Sequence, residues 1–205
     1  MKEGGRSVKI IVGITGATGA IFGIRLLELL NAAGVETHLV VSPWAKSTIP
    51  YETPYSVADV LAMASYTYSH KDQAARISSG SFQVDGMIIA PCSMKTLASI
   101  RVGLADNLIT RSADVMLKER KKLILMTRET PLNTIHLENM LALSQMGAVI
   151  FPPMPAFYNH PETLDEMVNH IVYRVMDQIG LPPEEAKRWD GIKSELETGG
   201  SHDGI

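Results

Sequence analysis

The sequence predicts a single α/β domain of three layers, with helices on both faces of a mostly parallel sheet. Apolar β-branched runs alternate with segments whose apolar residues recur at helical spacing. A glycine-rich turn joins the first such run directly to the first helix, as doubly wound folds require. The length of 205 residues suits one domain, which buries roughly 70% of the surface its unfolded chain exposes.

Val8, Ile10, Ile11 and Val12 open a strand over 8–15; Ile24, Leu26, Leu27 and Leu30 mark its helix over 21–33, stopped by Gly34. Thr37-His38-Leu39-Val40-Val41 is the second strand. Over 42–83 the pattern blurs, because Pro43, Pro50 and Pro54 interrupt it; only 57–64 has helical spacing, and Ser78-Ser79-Gly80-Ser81 is a loop. Excursions of this length are commonly functional. Gly86-Met87-Ile88-Ile89-Ala90 is a buried strand ended by Pro91. The helix over 107–118 finishes among Lys118, Arg120, Lys121 and Lys122, where cations complement the helix dipole. A strand over 123–127, a helix over 134–146 stopped by Gly147, and a strand over 148–151 follow. The prolines of 152–155 lead to a last helix, opened by Thr163 and Glu166 at capping-box spacing. Its stripe of Met167, Val168, Ile171, Val172, Val175, Met176 and Ile179 ends at Gly180 and Pro182. Residues 1–7 and 188–205 read as tails around a domain over 8–187.

A formal charge of −3 argues against a nucleic-acid or anionic-membrane partner. The single cysteine, Cys92, permits no internal disulfide and suits a reducing compartment. Residues 1–7 lack the apolar core of a signal peptide, and no apolar run is long enough to span a membrane. These features predict a cytoplasmic protein.

The turn Gly13-Ile14-Thr15-Gly16-Ala17-Thr18-Gly19 reads as a phosphate cradle, or as nothing more than a tight βα connection. A helix begun there leaves its first N–H groups unpaired, and residues without bulky side chains let a ligand oxygen reach the backbone. A dinucleotide site would place an acidic residue at the end of the second strand; this strand ends at Ser42. None of the six tyrosines has the lysine four residues on that short-chain reductases need. Two further strand ends carry anion-binding groups, Pro91-Cys92-Ser93-Met94-Lys95-Thr96 and Arg128. The histidines show no H-E-x-x-H or similar spacing, so no metal site is predicted. Cys92 reads as a small residue at a strand end, since nothing marks an activating base, and His136 as a packing or hydrogen-bonding residue of its helix.

Six blocks in order then carry a family resemblance: Gly16-Ala17-Thr18-Gly19, the 91–96 segment, 113–120, Arg128-Glu129-Thr130-Pro131, Ile135-His136-Leu137-Glu138-Asn139-Met140 and Pro155-Ala156-Phe157-Tyr158. Together they resemble the flavin prenyltransferase family of UbiX type, in particular members once named as components of phenolic-acid or hydroxyarylic-acid decarboxylases. The resemblance implies a Rossmann-like or flavodoxin-like fold that binds FMN and assembles as a dodecamer. It implies transfer of a dimethylallyl group from dimethylallyl monophosphate to N5 and C6 of reduced FMN, without a metal, for use by a UbiD-type decarboxylase.

By that resemblance Gly16, Ala17, Thr18, Ser42, Ser93, Met94, Lys95, Thr96 and Arg128 bind FMN, and Lys118, Tyr158 and Arg174 hold the substrate phosphate. Glu52 and Glu129 match its two active-site carboxylates, suited to carry the protons released at the flavin. Glu129 is assigned to acid–base work beside the phosphate and Glu52 to positioning near N5. Arg174, at the edge of an apolar stripe, needs an anion or must reach water. Trp189 matches an aromatic that could face an allylic cation, or it anchors the C-terminal segment. Thr18 departs from the serine common in the family. A flavin-dependent cysteine decarboxylase would need a histidine base and a methionine-asparagine motif that the sequence does not display. A noncatalytic flavin-binding component of a decarboxylase complex would have no use for Lys118, Tyr158 and Arg174.

Overall fold

The computed structural model describes residues 7–189 and 191, so most of both predicted tails lies outside the described residues. Six strands, β1 (Lys9–Ile14), β2 (Glu36–Val41), β3 (Tyr66–Tyr68), β4 (Gly86–Cys92), β5 (Lys122–Thr127) and β6 (Val149–Ile150), form one wholly parallel sheet. Their order is β3-β2-β1-β4-β5-β6, that of dinucleotide-binding folds. Without the short edge strand β3, the order becomes the flavodoxin one.

Alternation along the strands sorts the core into two layers. On one face Val12, Ile14, Leu39, Ile88 and Ala90 pack against α1 (Ala20–Ala32), α2 (Pro43–Glu52), α3 (Val57–Ala62) and α7 (Leu164–Gln178). On the other, Ile11, Val40, Met87, Ile89 and Leu125 pack against α4 (Met94–Arg101), α5 (Leu108–Lys118) and α6 (Thr134–Gln145). Burying a side chain such as Ile24 or Leu27 contributes about 1.5–3 kcal/mol. The chain leaves β1 toward β2 on one face and β4 toward β5 on the other, so a crevice opens between the carboxyl ends of β1 and β4.

Two close fits shape that crevice. Gly19, the N-cap of α1, has φ +99°, a left-handed conformation that a side chain would strain. A Cβ on Gly23 would lie 2.3 Å from the Ala90 carbonyl oxygen, so α1 rests directly on the backbone of β4.

The region 42–83 departs from the sequence-based expectation. Pro43 occupies the first turn of α2, where its missing N–H is no loss, and Ser42 caps the helix by accepting from the Ala45 N–H at 3.2 Å. Pro50 lies in the last turn and removes only the bond to the Lys46 carbonyl before the helix ends at Glu52. The segment therefore holds α2 and β3 in addition to the expected helix over 57–64, which is α3. Similarly, 93–96 is not an open loop but the start of α4, capped by Ser93. Strand β4 continues through Pro91 to Cys92, since Pro91 is needed there only as an acceptor for the Thr15 N–H. At α7, Thr163 accepts from the Glu166 N–H, but the Glu166 carboxylate accepts from Glu162 rather than Thr163. His136 closes a capping box at the start of α6 with Asn133.

Candidate functional site

Three helices, α1, α2 and α4, begin at the carboxyl ends of β1, β2 and β4, so their positive ends converge on the crevice. Thr15 ties two of these exits together. Its buried hydroxyl donates to the Pro91 carbonyl at 2.7 Å and accepts from the Ser93 N–H at 2.9 Å. The Ser42 N–H donates to Ile14, and the Arg128 N–H to Cys92, extending this lateral stitching to β2 and β5.

The stitching leaves several donors unused. The N–H groups of Gly16, Ala17 and Thr18, and those of Met94 and Lys95, have no acceptor among the described residues. Those of Gly19 and Ala20 are already taken: the Glu52 carboxylate accepts both, at 2.8 and 3.1 Å. Glu52, at the end of α2, is thus the resident anion at the start of α1 and not a free loop carboxylate. At the opposite end of α2, Trp44 covers Gly16 so closely that a Cβ there would meet its ring carbon at 2.2 Å. Ser93 donates to the Thr96 hydroxyl at 3.1 Å, and the Thr96 N–H returns to Ser93 at 3.3 Å. The Thr127 hydroxyl, at the end of β5, is buried without a partner among the described residues. Nearby, burial lowers the pKa of His70; Asp106 opposes the shift, while Lys95, Lys46 and Lys71 reinforce it.

Arg128 and Glu129 follow β5 and stand exposed. The Arg128 guanidinium has no partner among the described residues, and Glu129 accepts only from the adjacent Thr130 N–H at 3.0 Å.

A separate cleft of about 550 Å³ lies between the loop after β6 and α7, lined by Tyr158, His170, Arg174, Arg188 and Trp189 among others. Tyr158 meets Trp189 edge-on, with ring centroids 5.5 Å apart, and its hydroxyl lies 3.3 Å from His170 Nε2. Asp177 gathers two guanidinium groups, Arg174 at 3.1 Å and Arg188 at 2.5 and 2.8 Å. Two residues of the predicted C-terminal tail, Arg188 and Trp189, therefore pack onto the domain.

Lys118 stands apart from these groups. It ends α5, pairs with Glu119 and lies against Gly80, just ahead of the Lys122–Gly86 pairing where β5 and β4 begin. That is the amino edge of the sheet, opposite the crevice, so one chain does not bring Lys118 to Tyr158 and Arg174. Cys92 is fully buried, and burial pushes its thiol up to about 12, which suits packing rather than nucleophilic attack.

Unpaired N–H groups at two helix starts, hydroxyls at three strand ends and an aromatic wall over Gly16 fit an aromatic phosphate monoester such as FMN. The fold and crevice thus define a doubly wound α/β protein with unpaired donors gathered at its topological switch point. The Flavoprotein family model matches residues 2–176. A Bacillus subtilis protein named "Probable UbiX-like flavin prenyltransferase" is 70% identical over 194 residues, covering 95% of each chain. A dodecameric FMN-dependent UbiX-like decarboxylase from Escherichia coli O157:H7 superposes with TM-score 0.88 at 63% identity, covering 90% of this chain and all of that one. AnUbiX (PadA1), solved with FMN and dimethylallyl pyrophosphate, gives TM-score 0.91 at 52% identity, covering 92% of this chain and all of that one. The chain belongs to the UbiX-type flavin prenyltransferases of the flavoprotein family.

Sequence reasoning alone does not single out Thr15, Trp44, Thr127, His170, Asp177 or Arg188. Thr15 is legible as a hydroxyl at a strand exit, and Trp44 as a bulky aromatic beside the capping Ser42. His170 is legible as the one imidazole within an otherwise apolar stripe. Asp177 is legible as the i,i+3 partner of Arg174 on α7, whereas Arg188 has no local signal, because its pairing with Asp177 spans eleven residues.

Proposed function

We propose that the protein joins the dimethylallyl group of dimethylallyl monophosphate to N5 and C6 of reduced FMN, making prenylated FMN for a UbiD-type aromatic-acid decarboxylase. The observation that carries this reading is the set of unpaired donors at the crevice, in a chain so close to a relative solved with FMN and dimethylallyl pyrophosphate. Reduced FMN supplies the nucleophilic ring atoms. The N–H groups of Gly16, Ala17, Thr18, Met94 and Lys95, the hydroxyls of Thr18, Ser42, Ser93 and Thr96, and Arg128 hold it.

An allylic phosphate departs only if the charge growing on it is stabilised, and fixed cations with a phenolic donor do this in a site shielded from water. Tyr158 and Arg174 supply these groups from one chain. Lys118, at the amino edge, joins them from a neighbouring copy, in keeping with the dodecamer described for the Escherichia coli relative. Glu129, exposed beside Arg128, carries protons near the departing phosphate, and Glu52 holds the start of α1 beside Thr18. The low cysteine count supports a reaction carried out in the cytoplasm.

The test is transfer of the product. Protein-free filtrate from an anaerobic reaction with reduced FMN and dimethylallyl monophosphate should activate an apo UbiD-type decarboxylase toward an aromatic acid. Filtrate from a reaction lacking the prenyl ester should not. Equal activation by both would overturn the reading.

A further inference from the structure

The cleft beside β6 contains one buried titratable group to which the mechanism so far gives no task. His170 is 8% exposed and shares the α7 stripe with Ile171, Val172, Val175 and Met176. A polar ring placed there loses hydration, and an aliphatic side chain would fill the space without that cost. Its one hydrogen-bond partner among the described residues is the Tyr158 hydroxyl, 3.3 Å from Nε2, and the two rings meet edge-on with centroids 5.5 Å apart. The phenol is thus gripped by imidazole on one side and by Trp189 on another, while its oxygen touches His170. One turn along the same face stands Arg174, and Asp177 follows with Arg188.

We infer that His170 is a positioning residue: its Nε2–H donates to the Tyr158 oxygen and thereby turns the phenolic hydrogen outward, toward the phosphate leaving group. Were Nε2 the acceptor instead, the phenol would spend its only hydrogen on His170 and offer the phosphate lone pairs alone. Arg174, Arg188 and Asp177 act on His170 electrostatically, and Glu166, Glu185 and Lys187 line a cavity with it. Burial first, then the two arginines, lowers its pKa against the opposing pull of Asp177, so the ring is neutral and has one N–H to place. The inference rests on the proposed grip of Tyr158 on the phosphate.

A double-mutant cycle on the whole protein tests it, read as kcat/KM for dimethylallyl monophosphate with FMN affinity measured alongside. Tyr158→Phe should lose activity, and His170→Leu should lose about 10-fold, the effect of one oriented hydrogen bond. His170→Gln, whose amide can still donate, should stay within about threefold of the parent. In the Tyr158→Phe background, His170→Leu should cost nothing further. Additive losses, or a folded His170→Gln as impaired as His170→Leu, would overturn the inference alone. Undiminished activity of Tyr158→Phe would remove the grip on which it rests, and the inference with it.

Discussion

Replacing Glu52 by alanine removes the carboxylate that accepts from the Gly19 and Ala20 N–H groups at 2.8 and 3.1 Å. Two donors at the start of a 13-residue helix then face water without a fixed partner, and the dipole of α1 loses its countercharge. Loss of a helix cap costs about 0.5–2 kcal/mol, and loss of an exposed charge at the N-terminus about 0.3–1 kcal/mol. Because Glu52 is exposed, the sum falls near the lower half, about 1–2 kcal/mol. For a chain of this size each kcal/mol moves Tm by about 2–4 °C, so flavin-free Glu52→Ala should melt about 2–8 °C lower. Glu52→Gln keeps an acceptor and loses only the charge, so its loss should be about half as large or less. The assay is thermal unfolding at fixed protein concentration, with hydrogen exchange at the Gly19 amide as a local readout. An unchanged Tm for Glu52→Ala, or equal losses for both variants, would refute the capping role.

Gly23→Ala places a Cβ 2.3 Å from the Ala90 carbonyl oxygen, so α1 must lift off β4. Overpacking of about 1–3 kcal/mol should outweigh the helix gain of about 1 kcal/mol, lowering the urea midpoint and weakening FMN binding in a titration. His38 is buried between Tyr68, at 2.8 Å, and Glu36, at 3.0 Å, and burial holds its pKa below the ordinary 6.5 despite Glu36; Arg76 and Lys9 add to the lowering. The unfolded chain therefore binds the proton first, so stability is full above about pH 6.5 and falls as pH drops below it. Urea midpoints from pH 7.5 to 5 should show that slope, and His38→Gln should flatten it. Glu129→Gln should bind FMN normally yet form product roughly 100-fold more slowly, as loss of a proton carrier would; parental rates would cancel the role.

The frame of the fold is plain in the sequence where each element is long and periodic. Strands β1, β2, β4 and β5 and helices α1, α5, α6 and α7 lie within a few residues of their predicted spans. Helix α2 is hidden by its two prolines, each placed where it does least harm to the hydrogen-bond ladder. Strand β3 is three residues long, too short for alternation to register, and α4 begins in hydroxyl-bearing residues that also read as a donor loop. The glycine turn between β1 and α1 is legible as a cradle or as a tight connection, and the N–H groups left without acceptors at Gly16, Ala17 and Thr18 favour the cradle. What a linear reading misses is that Glu52, from 33 residues away, already takes the Gly19 N–H at the end of that turn. The remoteness of Lys118 is implicit in the alternation itself: a residue ending a helix just before a parallel strand lies at the sheet's amino edge.

Mass spectrometry of the flavin tests prenyl transfer most directly. Protein incubated without oxygen with reduced FMN and dimethylallyl monophosphate should yield a flavin heavier by one dimethylallyl group, with inorganic phosphate released in equal amount. Recovery of unmodified FMN alone, from protein shown to bind both compounds, would contradict the account.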